Sequence, residues 1–294
     1  MKKNIYPPIL IVLFNRYNYS KKLISIINRN KFKKIYISVD GPRKKNTKDL
    51  ENTKKIKKLI SNTKWNSKIF LLYRKTNLGC ALNIYKSIKF FFNREEFGIV
   101  LEDDCIPNKN FFKYMTYNLH KYKNNKKIGA ISAINRRLIS NNNNYNQYLS
   151  KFFGAWGWGS WRREIKNYKI NIKLNKKTEE KLNKWIGLTS VSKNIINKAI
   201  NGKKKYNTWD YQMNFLFLKN KKYTIRPSLD KIKNIGTLNT THGNLFTKLP
   251  NYQTEKSKEF NHGNYNFFND LFFYLSEFRY FNKFFKLMKI LKIV

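Results

Sequence analysis

The sequence predicts an α/β fold with a mostly parallel sheet and helices on both of its faces. Short apolar runs alternate with longer stretches of helical spacing up to about residue 140. Polar side chains capable of catalysis or binding follow several of these runs directly. Strands that alternate with helices imply right-handed crossovers, which produce a parallel sheet covered on both sides. With 41% hydrophobic residues among 294, the chain can bury a sizeable core.

The predicted elements come in a regular order. The strands are residues 9–14, 35–39, 69–73, 98–101 and 128–134, with a later one at 223–226 that ends before Pro227. The helices between them are residues 19–29, 47–61, 80–92 and 108–123, each with amphipathic spacing.

The pattern loosens beyond residue 140. A polar asparagine tract at 141–144 predicts an exposed loop, and residues 173–184 predict a solvated, charged helix or loop. In the tail, from 267 to 294, aromatic and aliphatic residues interleave with Lys and Arg at helical spacing. We therefore predict a domain at 1–250 and a helical tail at 251–294, either packed on the domain or peripheral to an anionic membrane.

The composition limits the classes of partner. The chain has 61 Lys and Arg against 17 Asp and Glu, a formal net charge of +44. Such a charge suits nucleic acid, an anionic membrane surface or phosphate-bearing ligands. However, lysine supplies 50 of the cations and arginine only 11, whereas arginine is the residue suited to bidentate phosphate and base recognition. A nucleic acid partner is therefore disfavoured.

The cysteines and the apolar segments indicate a location. The two cysteines, Cys80 and Cys105, form neither a disulfide framework nor a metal-binding spacing, which favours a reducing compartment. The sequence shows no signal-peptide pattern and no apolar run long enough to cross a membrane. We expect a cytoplasmic protein with at most peripheral contact at the inner face of the membrane.

Polar residues cluster where the predicted strands end. In open parallel sheets, ligands bind in the crevice outside these carboxyl ends. Several independent polar clusters on one edge are hard to explain by loop chemistry alone. The residues are Asn15 and Arg16 after the first strand, Asp40 after the second, Arg74, Asn77 and Gly79 after the third, and Glu102, Asp103 and Asp104 after the fourth.

The acidic triplet is the sharpest of these clusters. Three adjacent carboxylates repel one another unless a cation or several donors offset their charge, and hard oxygen ligands favour Mg²⁺ or Mn²⁺. Because side chains alternate along a strand, Glu102 and Asp104 would share one side and Asp103 would face the other. We predict Asp104 as the metal ligand, with Asp103 or Glu102 on the nucleotide sugar or a metal-bound water. A solvated turn is the alternative, but the apolar flanks favour a partly enclosed place.

Several motifs together resemble a known family, the GT-A-fold glycosyltransferases, in which an acidic triplet of DXD type after a strand binds a metal and a sugar nucleotide. Within it, the order of the motifs is similar to that of a bacterial branch related to the N-acetylglucosaminyltransferase I group, called hemolytic-protein-like. The resemblance covers about residues 8–245. The motifs are Phe14-Asn15-Arg16, Ser38-Val39-Asp40-Gly41-Pro42, Asn77-Leu78-Gly79, Val100-Leu101-Glu102-Asp103-Asp104-Cys105, Trp156-Gly157-Trp158 with Trp161-Arg162-Arg163, and Thr208-Trp209-Asp210-Tyr211-Gln212.

The resemblance implies roles for individual residues. Asn15 and Arg16 would line the nucleotide pocket, Asp40 would accept hydrogen bonds from the base or ribose, and Asp104 would hold Mn²⁺ or Mg²⁺. Asp210 would be the general base of an inverting transfer. Taken by itself, Asp210 is a carboxylate between two aromatics, and a helix-capping role is the simpler interpretation. The remaining nucleotide contacts would come from Arg74, Asn77 and Gly79.

Five further residues are candidates. His242 is one of three histidines, and the resemblance implies a role on the metal or the diphosphate. Trp156 or Trp158, set among glycines, would present a flat face on which an acceptor sugar stacks, although such rings are often core. Arg162 and Arg163 would meet a phosphate or an acidic acceptor, although an exposed basic pair needs no function.

The predicted function is a hexosyl- or N-acetylhexosaminyl-transferase. It would move a sugar from a nucleotide donor, a UDP-sugar in our prediction, to a bacterial surface glycan or lipid-linked acceptor. The alternative is a basic protein that binds nucleic acid or anionic membrane without catalysis. A sugar nucleotidyltransferase fits less well, because Phe14-Asn15-Arg16-Tyr17 has no glycine-rich phosphate loop after the first strand. A membrane adhesin or lytic protein would not need the ordered carboxylates.

Overall fold

A computed structural model describes residues 5–135 and 146–236, together with Tyr265, Asp270 and Tyr274. The asparagine tract at 141–144, His242, the predicted boundary at 250 and nearly all of the tail lie outside the described residues. Two described residues of the C-terminal part are buried. Asp270 accepts hydrogen bonds from the hydroxyl of Ser150 and the backbone N–H of Lys151, and the Tyr274 hydroxyl donates to the carbonyl of Ile186.

Eight strands form one sheet, in the order β3-β2-β1-β4-β8-β6-β9-β7. Six point in one direction, whereas β7 and β8 run antiparallel to their neighbours. A separate antiparallel pair joins β5 to β10. The strands are β1 (Ile9–Leu13), β2 (Lys34–Val39), β3 (Lys68–Tyr73), β4 (Phe97–Glu102), β5 (Cys105–Pro107), β6 (Ile128–Ser132), β7 (Gln147–Ser150), β8 (Trp158–Trp161), β9 (Tyr223–Pro227) and β10 (Ile232–Asn234).

Helices cover both faces of this sheet. Alternate residues of β1 show the two sides, since Ile9 and Ile11 pack with α1, α2 and α4, whereas Leu10 and Val12 pack with α3, α5 and α8. A third apolar cluster joins α6, α7 and α8. The helices are α1 (Tyr17–Asn28), α2 (Thr47–Asn62), α3 (Gly79–Phe92), α4 (Phe111–Lys121), α5 (Arg162–Ile165), α6 (Lys176–Ile186), α7 (Thr189–Asn201) and α8 (Asp210–Lys219), with a π-helical segment at Gly202–Tyr206.

The structure confirms the predicted fold class. Each strand and helix predicted between residues 9 and 226 is present, with ends that differ by a few residues, whereas the predicted helical tail lies almost wholly outside the described residues. The stretch from 173 to 184, predicted as a helix or a loop, contains most of α6, which begins after the Asn175 cap and ends at Gly187. Across the parts of the chain that the structure describes, no helix is both long enough and apolar enough to cross a membrane.

Candidate functional site

The predicted polar clusters meet at one edge of the sheet. β1 pairs in parallel with β2 and β4, so the residues that follow these strands lie side by side. The ladder continues past the strand ends, because Asp103 donates its backbone N–H to Val12 and Asp40 donates to Leu13. The carboxyl ends of β1, β2 and β4, where we expect ligands to bind, therefore lie side by side at one edge of the sheet.

Arg16 forms ion pairs with two carboxylates of the acidic triplet. Its Nη2 lies 2.7 Å from Oδ1 of Asp103, and its Nη1 lies 2.9 Å from Oδ2 of Asp104. The Arg16 side chain is 40% exposed, Asp104 is 16% exposed and Asp103 is buried. Burial lowers the pKa of Arg16, but the charges of Asp103 and Asp104 outweigh it, so that the pKa is raised overall. The guanidinium thus stays charged and holds the two carboxylates together.

One arginine does not balance the negative charge here. Burial, followed by repulsion from Asp104 and Asp103, raises the pKa of Glu102 well above its usual range, and Asp210 adds to the effect. Burial also raises the pKa of Asp103, against the opposing charge of Arg16. Within the described part of the chain, Oδ2 of Asp103 is buried without a hydrogen-bond partner. The charges of these carboxylates would therefore stabilise a further bound cation.

This donor set fits a hard divalent cation. No group of three or more His, Cys, Asp or Glu side chains converges into a complete metal site among residues 5–135 and 146–236 or the three described residues beyond them. Mg²⁺ is usually held by only one or two carboxylates, with waters and substrate phosphates as the other ligands. Asp104 has a partly exposed carboxylate and would supply such a ligand. His242, the second predicted ligand, lies outside the described residues.

The segment after β10 lies against this pair. The backbone N–H of Ile235 donates to the carbonyl of Asp104 at 2.9 Å, and the Tyr19 hydroxyl donates to the carbonyl of Ile235 at 3.2 Å. A side chain at Gly236 would collide with the Asp104 carboxylate and lie 2.7 Å from Nη1 of Arg16. Gly236 could not be identified from the sequence, because a lone glycine in a polar stretch predicts only a turn.

Gly236→Ala tests whether this close approach matters for binding. All three clashing atoms belong to side chains and two of them are side-chain ends, so we expect little change in thermal unfolding but displacement of Asp104 and Arg16. Nucleotide affinity should fall about tenfold or more, as small misplacements at a reacting site do. The matched control is Gly187→Ala, at a φ of +88° with open space around it. That variant should lower stability without changing nucleotide affinity; equal affinity loss in both would contradict the prediction.

Asp40 and Asn77 hold a loop together. Asp40 accepts hydrogen bonds from the backbone N–H groups of Gly41 and Leu78 at 2.9 and 3.0 Å and from Nδ2 of Asn77 at 3.0 Å. Oδ1 of Asn77 in turn accepts from the backbone N–H of Gly79 at 3.1 Å. Asp40 is only 3% exposed, and burial raises its pKa against these donors. The polar atoms of Asp40 and Asn77 thus shape this loop, and their direct contacts with a nucleotide stay a prediction.

Gly79 and Arg74 frame the same loop. Gly79 has a φ of +78°, a conformation that favours glycine, and a side chain there would meet Asn207 at 3.1 Å. Arg74 is half-buried and close enough to Asp40 to lower its pKa. Its Nε is buried without a hydrogen-bond partner in the part of the chain that is described. Arg74 remains our candidate for a nucleotide or phosphate contact.

Asn15 is fixed by a network that the sequence did not reveal. Its Nδ2 donates to Oδ1 of Asp49 at 2.7 Å, and Asp49 also pairs with Nε of Arg43 at 2.6 Å. The hydrogen bond from Arg43 lowers the pKa of Asp49 to about 2 despite burial. The pattern of Asn46 followed three residues later by Asp49 predicts a helix start but not this contact. Asn15 is thus held in place beside Arg16 with its carbonyl oxygen unused among the described contacts.

Asp210 begins α8 at the same edge. The N-cap residue of this helix is Trp209, whose side chain makes no capping hydrogen bond, and Asp210 is the acidic residue of the first turn. Trp209 is buried, and its carbonyl accepts a hydrogen bond from the Tyr168 hydroxyl at 2.9 Å. The charge of Asp210 raises the pKa of Glu102 and of Cys80, which places its carboxylate near the acidic triplet.

Two residues near Asp210 were missed by the sequence analysis. Asn207, at a φ of +48°, accepts a hydrogen bond from the backbone N–H of Ala81 at 3.1 Å and so joins the start of α3 to the segment before α8. Cys80 is exposed as a residue, yet its surroundings desolvate the sulfur, and together with Glu102, Asp210 and Asp104 this raises the thiol pKa. In sequence, both look like ordinary loop and helix residues.

The two candidate tryptophans differ in burial. Trp158 is 1% exposed, with its ring 5.2 Å from Phe153 and 5.8 Å from Trp209, so its predicted role in stacking on an acceptor sugar is wrong. It supports Trp209 and hence the start of α8. Trp156 is half-buried and lies next to Gly157, whose carbonyl accepts a hydrogen bond from Ala133. Trp156 remains our acceptor candidate.

Arg162 and Arg163 do not belong to the site. β8 runs antiparallel to β4, so its last residue, Trp161, pairs with the first residue of β4 at the far end of the sheet. Nε of Arg162 donates to the carbonyl of Phe92 at 2.8 Å, and Arg163 pairs with Glu164 at 3.0 Å. Their expected contact with an acidic acceptor is corrected accordingly.

Comparisons with known proteins give partial matches in structure. No protein-family model matches the sequence, and no curated protein matches it. HddC from Yersinia pseudotuberculosis is 12% identical over 55% of this chain and 80% of its own, with a TM-score of 0.35. GalNAc-T7, solved with UDP, GalNAc and Mn²⁺, is 10% identical over 77% of this chain and 43% of its own, with a TM-score of 0.44.

Proposed function

We propose that the chain is a metal-dependent, inverting GT-A-type glycosyltransferase. The observation that supports it most is the group of carboxylates at the carboxyl ends of the parallel strands, where Arg16 pairs with Asp103 and Asp104, and Glu102 lies close enough for their charges to raise its pKa. A nucleoside diphosphate with a divalent cation would suit this arrangement, because the carboxylates would hold the cation and the diphosphate would supply further oxygen ligands. The motif order supports the same proposal.

The donor would lie along the edge between β1 and β4. Asp104 would hold Mn²⁺ or Mg²⁺, which when bound would offset the charge of the leaving diphosphate. Arg16 is half exposed and already beside Asp104, so it is placed to donate to a phosphate oxygen. Asn15 and Arg74 would contact the nucleotide, whereas Asp40 and Asn77 would act indirectly by holding the loop. We take a UDP-sugar as the donor.

The acceptor would enter from the α8 side. Asp210 would take the proton of the acceptor hydroxyl while that oxygen attacks the anomeric carbon, which inverts the configuration. Its position at the start of a helix, on a buried Trp209, keeps the carboxylate in a fixed place. Trp156 would stack on the acceptor, a bacterial surface glycan or a lipid-linked sugar, and the transferred unit would be a hexose or an N-acetylhexosamine.

The experiment is turnover of a panel of UDP- and GDP-hexoses and N-acetylhexosamines by the full chain with Mn²⁺, with release of the nucleoside diphosphate as the readout. One nucleotide class should be hydrolysed or transferred, and chelator should stop the reaction. A chain that turns over none of them but binds a DNA duplex or anionic vesicles, with steep salt dependence and no effect of chelator, would be the polyanion-binding protein instead.

A further inference from the structure

A basic groove lies between α8 and the loop that follows α5. Its volume is about 490 Å³, within the range of roughly 300–1,000 Å³ usual for ligand pockets. Three exposed lysines line it, Lys169, Lys173 and Lys219, and no acidic residue does. None of these lysines makes an ion pair within the described part of the chain. The other lining residues are Asn167, Asn171, Ile172, Gln212, Phe215, Leu216 and Asn220.

Gln212 distinguishes this groove from an ordinary solvated surface. The residue is fully buried, yet both its Nε2 and its Oε1 are without a hydrogen-bond partner among the described residues. A buried amide without partners costs free energy unless a ligand or water satisfies it. The amide group lies against Gly202, where a side chain would leave it no room. The chain thus keeps a polar group, and space for it, in the wall of a cationic groove.

The groove is separate from the proposed catalytic edge. Positions 212, 215, 216 and 219 recur at helical spacing and form one face of α8. Asp210 precedes Gln212 by two positions, about 200° around the helix, and so faces away from the groove. A ligand here would contact the opposite side of the helix that carries the proposed base, with Phe215 and Leu216 as an apolar floor.

We propose that this groove binds an anionic group, a carboxylate or a phosphate, carried on a sugar. The lysines would provide the charge, the side-chain amides would hydrogen-bond to the sugar hydroxyls, and the apolar floor would meet its C–H faces. The proposal that the ligand carries an anionic group rests on the lining of the groove alone. The sugar part rests on the proposed function, under which the groove would hold a charged unit of the acceptor chain away from the reacting hydroxyl.

The test is titration of the full chain with glucose 6-phosphate, glucuronate and glucose, without nucleotide or metal. We expect the anionic sugars to bind and glucose to bind at least about tenfold more weakly, because hydrogen bonds to charged groups are the stronger ones. Preference for glucose 6-phosphate or for glucuronate identifies the phosphate or the carboxylate as the natural group. Equal binding of glucose and the charged sugars would overturn the proposal.

Two variants separate the groove from the overall charge. Lys169→Ala, Lys173→Ala and Lys219→Ala combined should abolish binding of the charged sugars, whereas combined Lys54→Ala, Lys55→Ala and Lys58→Ala, on an exposed face of α2, should leave it unchanged. Equal losses in both would mean a diffuse effect of charge and would refute the site.

Gln212→Met tests the buried amide itself. This variant removes the unpartnered polar atoms from a fully buried position, so it should fold with unchanged or higher stability yet bind the charged sugars more weakly. Unchanged binding would show that Gln212 does not face the ligand and would overturn its role. Nucleotide titrations of the same variants should match the parent chain, so failure of the groove leaves the proposed transferase untouched.

Discussion

Asp210→Asn should abolish sugar transfer while the protein still folds and still binds its nucleotide. The amide keeps the shape of the side chain but cannot accept the proton of the acceptor hydroxyl. General base catalysis typically contributes 10²–10⁴-fold, so we expect a fall in kcat of about a thousandfold. The measurement is steady-state transfer, alongside nucleotide affinity by calorimetry on the same sample. Nucleotide affinity should stay within about threefold of the parent, because Asp210 lies on α8 and not among the residues after β1.

A control shows whether the loss is specific. Glu179 lies in the first turn of α6 and Asp210 in the first turn of α8, so both carboxylates sit near a positive helix end. Glu179→Gln should therefore reproduce any loss of favourable helix electrostatics but leave transfer unchanged. If Asp210→Asn kept more than a tenth of the activity, another group would have to be the base, and the assignment of Asp210 would fail.

Asp104→Asn should remove the metal dependence of nucleotide binding. Loss of residues that only support metal ligands costs about 10–100-fold in affinity, so loss of a ligand should cost more than that. The substitution also weakens the pair between Nη1 of Arg16 and Oδ2 of residue 104, whereas the pair between Arg16 and Asp103 should remain. We expect nucleotide affinity with Mn²⁺ to fall to the level that the parent chain shows with chelator. Transfer activity should be lost in parallel.

Glu51→Gln is the matched control for this variant. Glu51 is an exposed carboxylate on α2, and its removal changes the net charge of the chain as much as removal of Asp104 does. Nucleotide binding should be unchanged in this control. If Asp104→Asn bound nucleotide as tightly as the parent in Mn²⁺, Asp104 would not be the ligand, whatever its effect on transfer.

The sequence predicted the first half of the fold well, because its elements have strong and different periodicities. The runs that became β1, β2 and β4 are mostly apolar, as buried parallel strands are, and the helices between them are amphipathic. β7 and β8 were missed, because they are four residues long and β8, Trp158–Trp161, alternates tryptophan with small residues rather than showing a β-type apolar run. Short strands in glycine-rich stretches give little periodicity to detect.

The sequence predicted the location of the site better than the role of each residue in it. Position after a strand placed Arg16, Asp40 and Asp104 at one edge, but it does not say whether a polar side chain faces a ligand or ties down a loop. Asp40 is buried among backbone donors, which depends on contacts with residues 37 and 38 positions later in the chain. Trp158 entered the core for a similar reason, because its partners Phe92 and Trp209 come from distant segments. Such long-range contacts leave no local pattern.

The most direct test of the central claim is calorimetric titration of the full chain with UDP and GDP, in Mn²⁺ and again with chelator, at moderate salt. The acidic edge around Arg16 and Asp104 predicts that one nucleoside diphosphate binds with about 1:1 stoichiometry in Mn²⁺, and that chelator weakens this binding strongly. Binding of neither nucleotide, or equal binding with and without the metal, would contradict a metal-dependent nucleotide site at this edge of the sheet.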